Sequence, residues 1–500
     1  MVTRRTLLGA AALTAVAGAA AACTGETGAP QPATTAPSAP PSSPAKPVPP
    51  DWAALREKLG GGLVLPGDAG YPAAAQVYNP LFDARKPAAV ARCRKTEDVQ
   101  ACVEVAAAAR MPIAARSGGH SYAGYSNQDE ALIVDLSAMS GVDVDGESAV
   151  IGAGTKLIDV YAGLDAQGRC LPAGSCPTVG ISGLTLGGGI GVLTRKFGLT
   201  CDMLTSAKVV KADGSLVTAS VDSEPDLFWA LRGGGGGNFG IVTAFTFRTP
   251  PAPELTVFSL RFDGAAADVV GAWQTWVADL PDELWTNCVV SGGSPPTVRV
   301  GGCYVGSPQA CEAQLSRLGL TASSRSVTGK SYLDAMRYFA GCSQRSVAQC
   351  HPAAQGGSLG RESFVASSRV LTKPADPAAL VSLLDGRTGT DLLLDSLGGA
   401  VSKLDSGETA FPYRTALASA QIYTGTGPGR QAATAAVADV RDGLGKLTGA
   451  TGYVNYIDPA MPDWAGTYYG GNLDKLRQVA DRYDPDGVFA FAQGLTARDR

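Results

Sequence analysis

Two residues with nucleophilic side chains, His120 and Cys176, each lie in a turn that is dense with glycine. His120 follows the run Arg116-Ser117-Gly118-Gly119, and Cys176 precedes Pro177-Thr178-Val179-Gly180. Glycine lets the backbone take positive φ and approach a ligand closely, and successive backbone N–H groups in such turns form concavities that bind phosphate. The pattern predicts a nucleotide cofactor that both turns hold, with one nucleophile in each turn available for a covalent bond.

Two more glycine-rich segments follow along the chain. The first is Gly187-Gly188-Gly189-Ile190-Gly191, and the second contains five consecutive glycines from Gly233 to Gly237. Neither opens a helix after a strand with an acidic residue about 20 positions further on, as a Rossmann fingerprint requires. The run from Gly180 to Leu184 lacks the final glycine of a nucleophile elbow. We expect the five-glycine segment to be a loop pressed close to a ligand.

The motifs around His120, Cys176 and Gly187 together resemble those of the berberine bridge enzyme-like flavin oxidases, which have the vanillyl-alcohol-oxidase type of FAD-binding fold. The resemblance runs from about residue 65 to the C-terminus. It implies an FAD cofactor, with His120 bonded to the 8α-methyl group of the flavin and Cys176 bonded to C6. Cys170 is a rival flavin ligand, but Pro-Thr-Val-Gly follows Cys176, as it does in the family.

The resemblance also implies the fold and the cofactor contacts. The fold is α+β, with a PCMH-type FAD-binding domain and a substrate domain of antiparallel sheet backed by helices. A small residue such as Val179 beside the flavin is typical of the oxidases in the family, because it leaves space for O2, whereas leucine is typical of the dehydrogenases. Besides His120 and Cys176, the residues expected to bind FAD are Arg116, Ser117, Gly118, Gly119, Ser121, Pro177, Thr178, Val179, Gly180, Gly183, Gly187, Gly188, Gly189, Gly191, Asn238, Gly240, Ile241, Val242, Tyr453 and Asn455.

The closing segment Tyr453-Val454-Asn455-Tyr456-Ile457-Asp458 resembles the one that the family places over the flavin ring. We expect Tyr456 to remove the substrate proton; the alternative is a core aromatic residue of a strand. Tyrosine has an ordinary pKa of about 10, which must be lowered for it to act as a base near neutral pH, and Arg414 is a candidate for lowering it. We expect Tyr122 to line the pocket and Gln421 to face the substrate.

The activity that the resemblance implies is oxidation of an alcohol group. The substrate proton leaves to a base, hydride passes to flavin N5, and O2 reoxidises the flavin to give H2O2. A doubly bonded flavin implies a wide cleft, which suits carbohydrates and glycosylated natural products. Two alternatives stay open: a dehydrogenase that uses an acceptor other than oxygen, and a non-catalytic surface lipoprotein that binds carbohydrate.

Charge and histidine content argue against other classes of protein. The chain has 500 residues and a net charge of -4, so nothing indicates nucleic acid as a partner. It has two histidines and no CxxC motif, and it therefore lacks the pattern of a zinc site. We interpret the second histidine, His351, as structural or surface-exposed.

The 11 cysteines allow several disulfides in an exported protein. An odd number remains when the expected flavin ligand and the N-terminal cysteine are set aside, so these cannot all pair with one another. Cys342 with Cys350, and Cys303 with Cys311, are close enough in sequence to pair, although sequence alone cannot fix the connectivity.

The N-terminus has the pattern of an export signal. Thr3-Arg4-Arg5-Thr6-Leu7-Leu8 is a twin-arginine motif, and the apolar run from Leu7 to Ala22 is shorter than the roughly 20 residues that a membrane span needs. Cys23 follows Ala20-Ala21-Ala22, which suits either lipoprotein processing or plain cleavage. We expect residues 1–23 to direct the protein out of the cytoplasm, secreted or anchored at Cys23, and residues 24–50, rich in Pro, Ala, Ser and Thr, to be a disordered linker.

Strands and helices alternate between residue 51 and residue 250. A proline-rich run at 249–253 marks a boundary, so we assign residues 51–250 to the FAD-binding domain, 251–452 to the substrate domain and 453–500 to a segment that returns to the first domain. Strands are predicted over 89–93, 112–116, 132–136, 149–152, 208–210, 215–219, 255–262, 297–304 and 392–397. Helices are predicted over 52–59, 96–110 with Thr96 as N-cap, 156–163, 226–231, 269–279 and 377–384.

Overall fold

The computed structural model describes residues 48–496. The predicted export signal, Cys23 and most of the predicted linker lie outside these residues. No helix between residues 48 and 496 is long and apolar enough to cross a membrane. The described residues form three sheets with helices packed around them.

The first sheet leads into the turn that carries His120. Its strands are β1 (Leu63–Val64), β2 (Ala89–Arg92), β3 (Ile113–Arg116) and β4 (Leu132–Asp135), in the order β1-β2-β4-β3. The pairs β2–β4 and β3–β4 are parallel, and β1 pairs with β2 in the antiparallel sense. The helices of this part are α1 (Trp52–Lys58), α2 (Tyr71–Ala74) and α3 (Thr96–Ala109).

The N-cap of helix α3 lies one residue before the predicted one. Thr96 is its first residue, and Lys95 stands at the N-cap position. The Asp98 carboxylate accepts hydrogen bonds from the backbone N–H of Arg94 at 2.8 Å and of Lys95 at 3.2 Å. A carboxylate in the first turn therefore fixes the start of the helix, and the threonine hydroxyl does not cap it.

The second sheet has five antiparallel strands in the order β5-β6-β9-β7-β8. The strands are β5 (Val142–Asp145), β6 (Ser148–Gly152), β7 (Leu204–Val210), β8 (Leu216–Ser220) and β9 (Ile241–Arg248). The predicted hairpin is confirmed, because β7 pairs with β8 from Ser206 to Val210. The helices here are α4 (Leu157–Asp165), α5 (Ile181–Leu186), α6 (Thr194–Phe197) and α7 (Pro225–Ala230).

The third sheet has seven strands, all antiparallel, in the order β13-β10-β12-β11-β15-β16-β14. The strands are β10 (Leu255–Phe262), β11 (Leu284–Ser291), β12 (Thr297–Val305), β13 (Ser324–Lys330), β14 (Phe364–Leu371), β15 (Thr390–Ser396) and β16 (Ala418–Gly425). The helices are α8 (Ala266–Ala278), α9 (Pro308–Leu315), α10 (Tyr332–Phe339), α11 (Pro377–Ser382) and α12 (Arg430–Thr448). Helices α8 and α12 pack on this sheet, and α11 packs against both helices, which confirms the predicted antiparallel sheet backed by helices.

The two faces of the third sheet differ, because successive side chains of a strand point to opposite sides. On β16, Ala418, Ala420 and Ile422 are buried in the core that the helices share. Gln421 and Tyr423 alternate with them and are only partly buried. The face away from the helices is therefore the one that offers polar side chains.

The chain ends in a segment that returns to the glycine-rich part. Helices α13 (Trp464–Tyr469) and α14 (Leu473–Tyr483) belong to it. The Tyr469 hydroxyl donates to the carbonyl of Gly234 at 3.1 Å, and the Leu495 N–H donates to Asn238 Oδ1 at 3.0 Å. These contacts support the expected return, while the division of the chain at residues 250 and 452 stays a prediction.

The cysteines follow the sequence prediction in part. Cys342 and Cys350 form a disulfide, as predicted. The pairing of Cys303 with Cys311 was wrong, because both are buried thiols. His351 Nε2 lies 2.9 Å from Asp159 Oδ1 of α4, so this histidine ties the disulfide loop to the helix, in agreement with a structural role.

Candidate active site

The turn before His120 and the turn after Cys176 pack against each other through glycine backbone. A Cβ atom added at Gly180 would lie 2.0 Å from Ser117 Oγ and 2.4 Å from Gly118 N, and one added at Gly118 would lie 2.3 Å from Gly180 N. Only residues without a side chain allow so close an approach. Because of it, His120 and Cys176 line the same cavity.

The His120 ring is held on one face and at one edge. The ring of Tyr78 stacks on it with centroids 3.9 Å apart and an angle of 19° between the planes. His120 Nε2 lies 2.9 Å from Thr178 Oγ1. Desolvation in the cavity, followed by the charge of Lys156, lowers the pKa of His120 to about 3. The imidazole is therefore neutral at physiological pH, and its unshared electron pair is available as a nucleophile.

Thr178 also contacts the second nucleophile. Its Oγ1 atom lies 3.8 Å from Cys176 Sγ. Burial raises the pKa of the Cys176 thiol, and hydrogen bonds from Thr178 and from the Val179 backbone act in the opposite direction. The rival Cys170 is fully buried, donates its thiol proton towards the Pro251 carbonyl and does not line the cavity. The geometry favours Cys176 over Cys170.

Bare backbone forms much of the cavity, whose volume is about 380 Å³. Three residues of the five-glycine segment, Gly235–Gly237, are part of its wall, and a Cβ atom added at Gly183 would meet no protein atom within 4 Å. Glycine turns that bring N–H groups to a cavity holding two nucleophiles fit a dinucleotide such as FAD. The predicted residues that line the cavity are Ser117, Gly118, Gly119, His120, Ser121, Tyr122, Cys176, Val179, Gly180, Gly183, Asn238, Gly240, Ile241, Val242, Asn455 and Tyr456.

Other predicted residues lie behind this wall and support it. Arg116 Nη2 donates to Asp135 Oδ2 at 2.9 Å and to the Ala74 carbonyl at 2.7 Å. The Tyr453 hydroxyl accepts the N–H of Gly189 at 2.9 Å and binds Asn455 Nδ2 at 2.8 Å. The predicted residues that do not line the cavity are Arg116, Pro177, Thr178, Gly187, Gly188, Gly189, Gly191, Tyr453 and Gln421.

The Tyr456 side chain faces the cavity from a 3₁₀ turn, Val454–Tyr456, and does not belong to a strand. Its ring is parallel to that of Tyr122, with an interplanar angle of 6° and centroids 5.5 Å apart. Gln421 Nε2 donates to the Tyr122 hydroxyl at 2.5 Å. Gln421 therefore reaches the site through Tyr122 and not through the cavity wall.

The expected role of Arg414 is wrong. Its guanidinium is fully buried and makes two hydrogen bonds of 2.8 Å to the carboxylate of Asp202. The pKa of Tyr456 is raised and not lowered, first by burial and then by the negative charge of Asp395. The field at the tyrosine hydroxyl is thus that of a carboxylate.

Asp395 is the residue of this site that sequence patterns did not single out. It lies on β15, opposite Asn287 of β11 and Ser419 of β16. Burial raises the pKa of Asp395 to about 7. Its charge also acts on Tyr122. The signal in the sequence was an acid directly after the apolar run Leu392–Leu394 of a strand, and only the strand register shows what it faces.

Comparison with known proteins agrees with this geometry. Residues 87–220 match the FAD binding domain family, and residues 452–496 match the family described as berberine and berberine like. The uncharacterized FAD-linked oxidoreductase YgaK of Bacillus subtilis (strain 168) is 32% identical over 456 residues, which are 88% of this chain and 98% of that protein. The chain belongs to the berberine bridge enzyme-like FAD-linked oxidoreductases.

Other relatives have assigned activities. The xylooligosaccharide oxidase of Thermothelomyces thermophilus is 32% identical over 453 residues, or 82% of this chain and 87% of that one. A solved chitooligosaccharide oxidase superposes with a TM-score of 0.81 at 28% identity, covering 89% of this chain and 99% of the other. The two-domain FAD-binding fold predicted from the sequence is confirmed. The prediction that the chain is an FAD-linked oxidoreductase acting on CH–OH donors is confirmed as well.

Replacing Gly180 with alanine should damage the site. The new Cβ atom would push the two turns apart, at a cost of about 1–3 kcal/mol in the free energy of unfolding. We expect Gly180→Ala to melt at a lower temperature and to be purified with less flavin per chain, measured by scanning fluorimetry and visible absorbance. Gly67→Ala is the matched control, because a Cβ atom there meets no atom within 4 Å. Wild-type melting and flavin content in Gly180→Ala would contradict the proposed contact.

Proposed function

We propose that this enzyme is an FAD-dependent oxidase of an alcohol carbon in a carbohydrate or a glycosylated natural product, with O2 as electron acceptor and H2O2 as product. The observation that carries the proposal is that Tyr456 lines the same cavity as His120 and Cys176, while the charge of Asp395 acts on Tyr456 from behind. The named activities of the xylooligosaccharide and chitooligosaccharide oxidases support the substrate class.

We propose that His120 and Cys176 each form a covalent bond to the flavin. Because Thr178 engages Nε2 of His120, Nδ1 is the ring nitrogen left to form the bond. Stacking against Tyr78 keeps the ring in one orientation. FAD, when bound, accepts the hydride and returns electrons to oxygen, and the protein's contribution is to orient and tune it.

Proton removal is assigned to Tyr456 with help from Asp395. A carboxyl group with a pKa of about 7 changes its charge in the neutral range, where a general base is most effective. We propose that Tyr456 accepts the substrate hydroxyl proton as its own proton moves towards the Asp395 carboxylate. Tyr122, which Gln421 holds by a hydrogen bond, lies parallel to Tyr456 and restricts where the substrate can sit.

Oxygen use is proposed from Val179, which lines the cavity beside Cys176. Its small side chain leaves more room for O2 than leucine would. The dehydrogenase alternative differs in one respect, that the reduced flavin would pass its electrons to another acceptor. Export by a twin-arginine signal, and a lipid at Cys23, remain proposals that rest on the sequence of residues 1–23.

A substrate screen tests the function. Xylo-, cello- and chito-oligosaccharides and simple alcohols should be supplied in air, with H2O2 measured by a peroxidase-coupled assay, and again without oxygen in the presence of a redox dye. We expect H2O2 at a rate that matches substrate oxidation. Turnover with the dye alone would identify a dehydrogenase, and no flavin reduction by any carbohydrate would contradict the proposed substrate class.

Tyr456→Phe should slow flavin reduction by about 10² to 10⁴, because a general base contributes roughly that factor and the ring is kept. Stopped-flow absorbance at saturating substrate measures it. Tyr304→Phe is a control with the same chemical change at a residue that does not line the cavity. Reduction within a few-fold of wild type would place the base elsewhere.

The pH dependence of the same step tests Asp395. Its carboxyl is protonated below a pKa of about 7, so it accepts a proton only above that pH. Flavin reduction in the wild type should therefore accelerate as pH rises through about 7, and Asp395→Asn should be slow and lack this dependence. A wild-type profile that is flat from pH 5 to 9 would contradict the assignment.

A further inference from the structure

Within residues 48–496, Glu362 is the one residue of the cavity lining that carries a formal charge. No lysine or arginine belongs to the lining within this part of the chain. The neighbouring Arg361 is committed elsewhere: its Nε donates to the Val77 carbonyl at 2.8 Å, and its guanidinium pairs with Asp83. The Glu362 carboxylate thus adds a negative charge to the cavity without a cationic partner among these residues.

The backbone around Glu362 is fixed on both sides. On one side Arg361 is bound to Val77 and Asp83, and on the other the Phe364 carbonyl accepts a hydrogen bond of 2.8 Å from Asn79 Nδ2. The two anchors join the start of β14 and the residues just before it to the segment before β2. The side chain of Glu362 is exposed to solvent, so it stands at the mouth of the cavity in a position that the fold determines.

Two tyrosines interact with this carboxylate. The Tyr78 hydroxyl donates to Glu362 Oε2 at 3.3 Å, and Glu362 also acts on Tyr423, whose pKa is raised by burial and then by this carboxylate. The Phe364 ring stacks on Tyr423 with centroids 4.7 Å apart. A carboxylate beside aromatic side chains is a combination that binds an organic cation, through charge and through cation–π attraction.

The same rings connect Glu362 to the proposed base. Phe364 contacts Tyr122 edge-on, with centroids 5.1 Å apart, and Tyr122 stacks on Tyr456 at 5.5 Å. A substrate that lies along this wall has one part at Tyr456 and another at the mouth. The cationic group and the oxidised carbon therefore belong to different parts of an extended molecule.

We infer that Glu362 binds a protonated amine of the substrate, so that the natural substrate is an oligosaccharide or glycoside that contains an amino sugar. The inference rests on the proposed function, since it names the substrate class of the same cavity. The carboxylate is exposed and partly screened by water, so its contribution is moderate, about three- to tenfold in kcat/KM.

The test compares three trisaccharides of equal length with the holoenzyme at pH 6: chitosan trisaccharide, its N-acetylated form and cellotriose. We expect Glu362→Gln to raise KM for chitosan trisaccharide about three- to tenfold with kcat unchanged, and to leave the two uncharged substrates within twofold. The wild-type preference for the amine should also fall as salt is added. Glu57→Gln, at an exposed position on α1, is the matched control and should change nothing.

Each outcome decides the inference separately from the proposed function. Equal effects of Glu362→Gln on all three substrates, or no effect on any, would overturn the amine site and leave the oxidase intact. If the wild type oxidises none of them, the proposed function fails. Calorimetric binding of chitosan trisaccharide to the wild type and to Glu362→Gln then decides whether Glu362 binds the amine. Weaker binding by the variant supports the amine site, and equal binding or no binding overturns it.

Discussion

The backbones of Gly118 and Gly180 lie so close together that neither residue has room for a Cβ atom. This contact brings two turns from distant parts of the chain to one cavity, each with its nucleophile. The first sheet delivers one turn, and the other precedes α5. Thr178 lies between the two nucleophiles and contacts both. A cofactor site with two attachment points depends on this approach, which explains the glycine density on both sides.

The proposed proton removal depends on the register of the strands in the third sheet. Asp395 and Gln421 belong to neighbouring strands, on the face of the third sheet that the helices leave uncovered. The closing segment places Tyr456 against this face, and the Tyr453 hydroxyl anchors that segment to the backbone of Gly189. The glycine-rich segment from Gly187 to Gly191 thus positions the proposed base, although this segment does not line the cavity. The glycine-rich segments and the third sheet are thus connected through buried hydrogen bonds such as that of Tyr453.

The sequence was sufficient to predict the features that a local pattern of residues encodes. Period-two strands, the β7–β8 hairpin and the glycine turns around His120 and Cys176 follow from residue types at short spacing, and they predicted individual elements and the centre of the site. The chain order of the glycine motifs is specific enough to identify the family. Tyr456 was also singled out by its motif, and its role stays a proposal.

Long-range neighbours were not predictable from such patterns. Arg414 was expected near Tyr456, but a carboxylate more than 200 positions away, Asp202, holds it. Asp395 and Glu362 had no distinguishing motif, because their significance comes from which rings and strands surround them.

The two glycine turns are proposed to hold one flavin between His120 and Cys176, and the rest of the chemistry depends on that attachment. Tryptic digestion of the denatured holoenzyme, followed by mass spectrometry, measures it directly. We predict a single flavin that links the peptide containing His120 to the peptide containing Cys176. Release of free FAD on denaturation, or a flavin attached to any other pair of residues, would contradict this central claim.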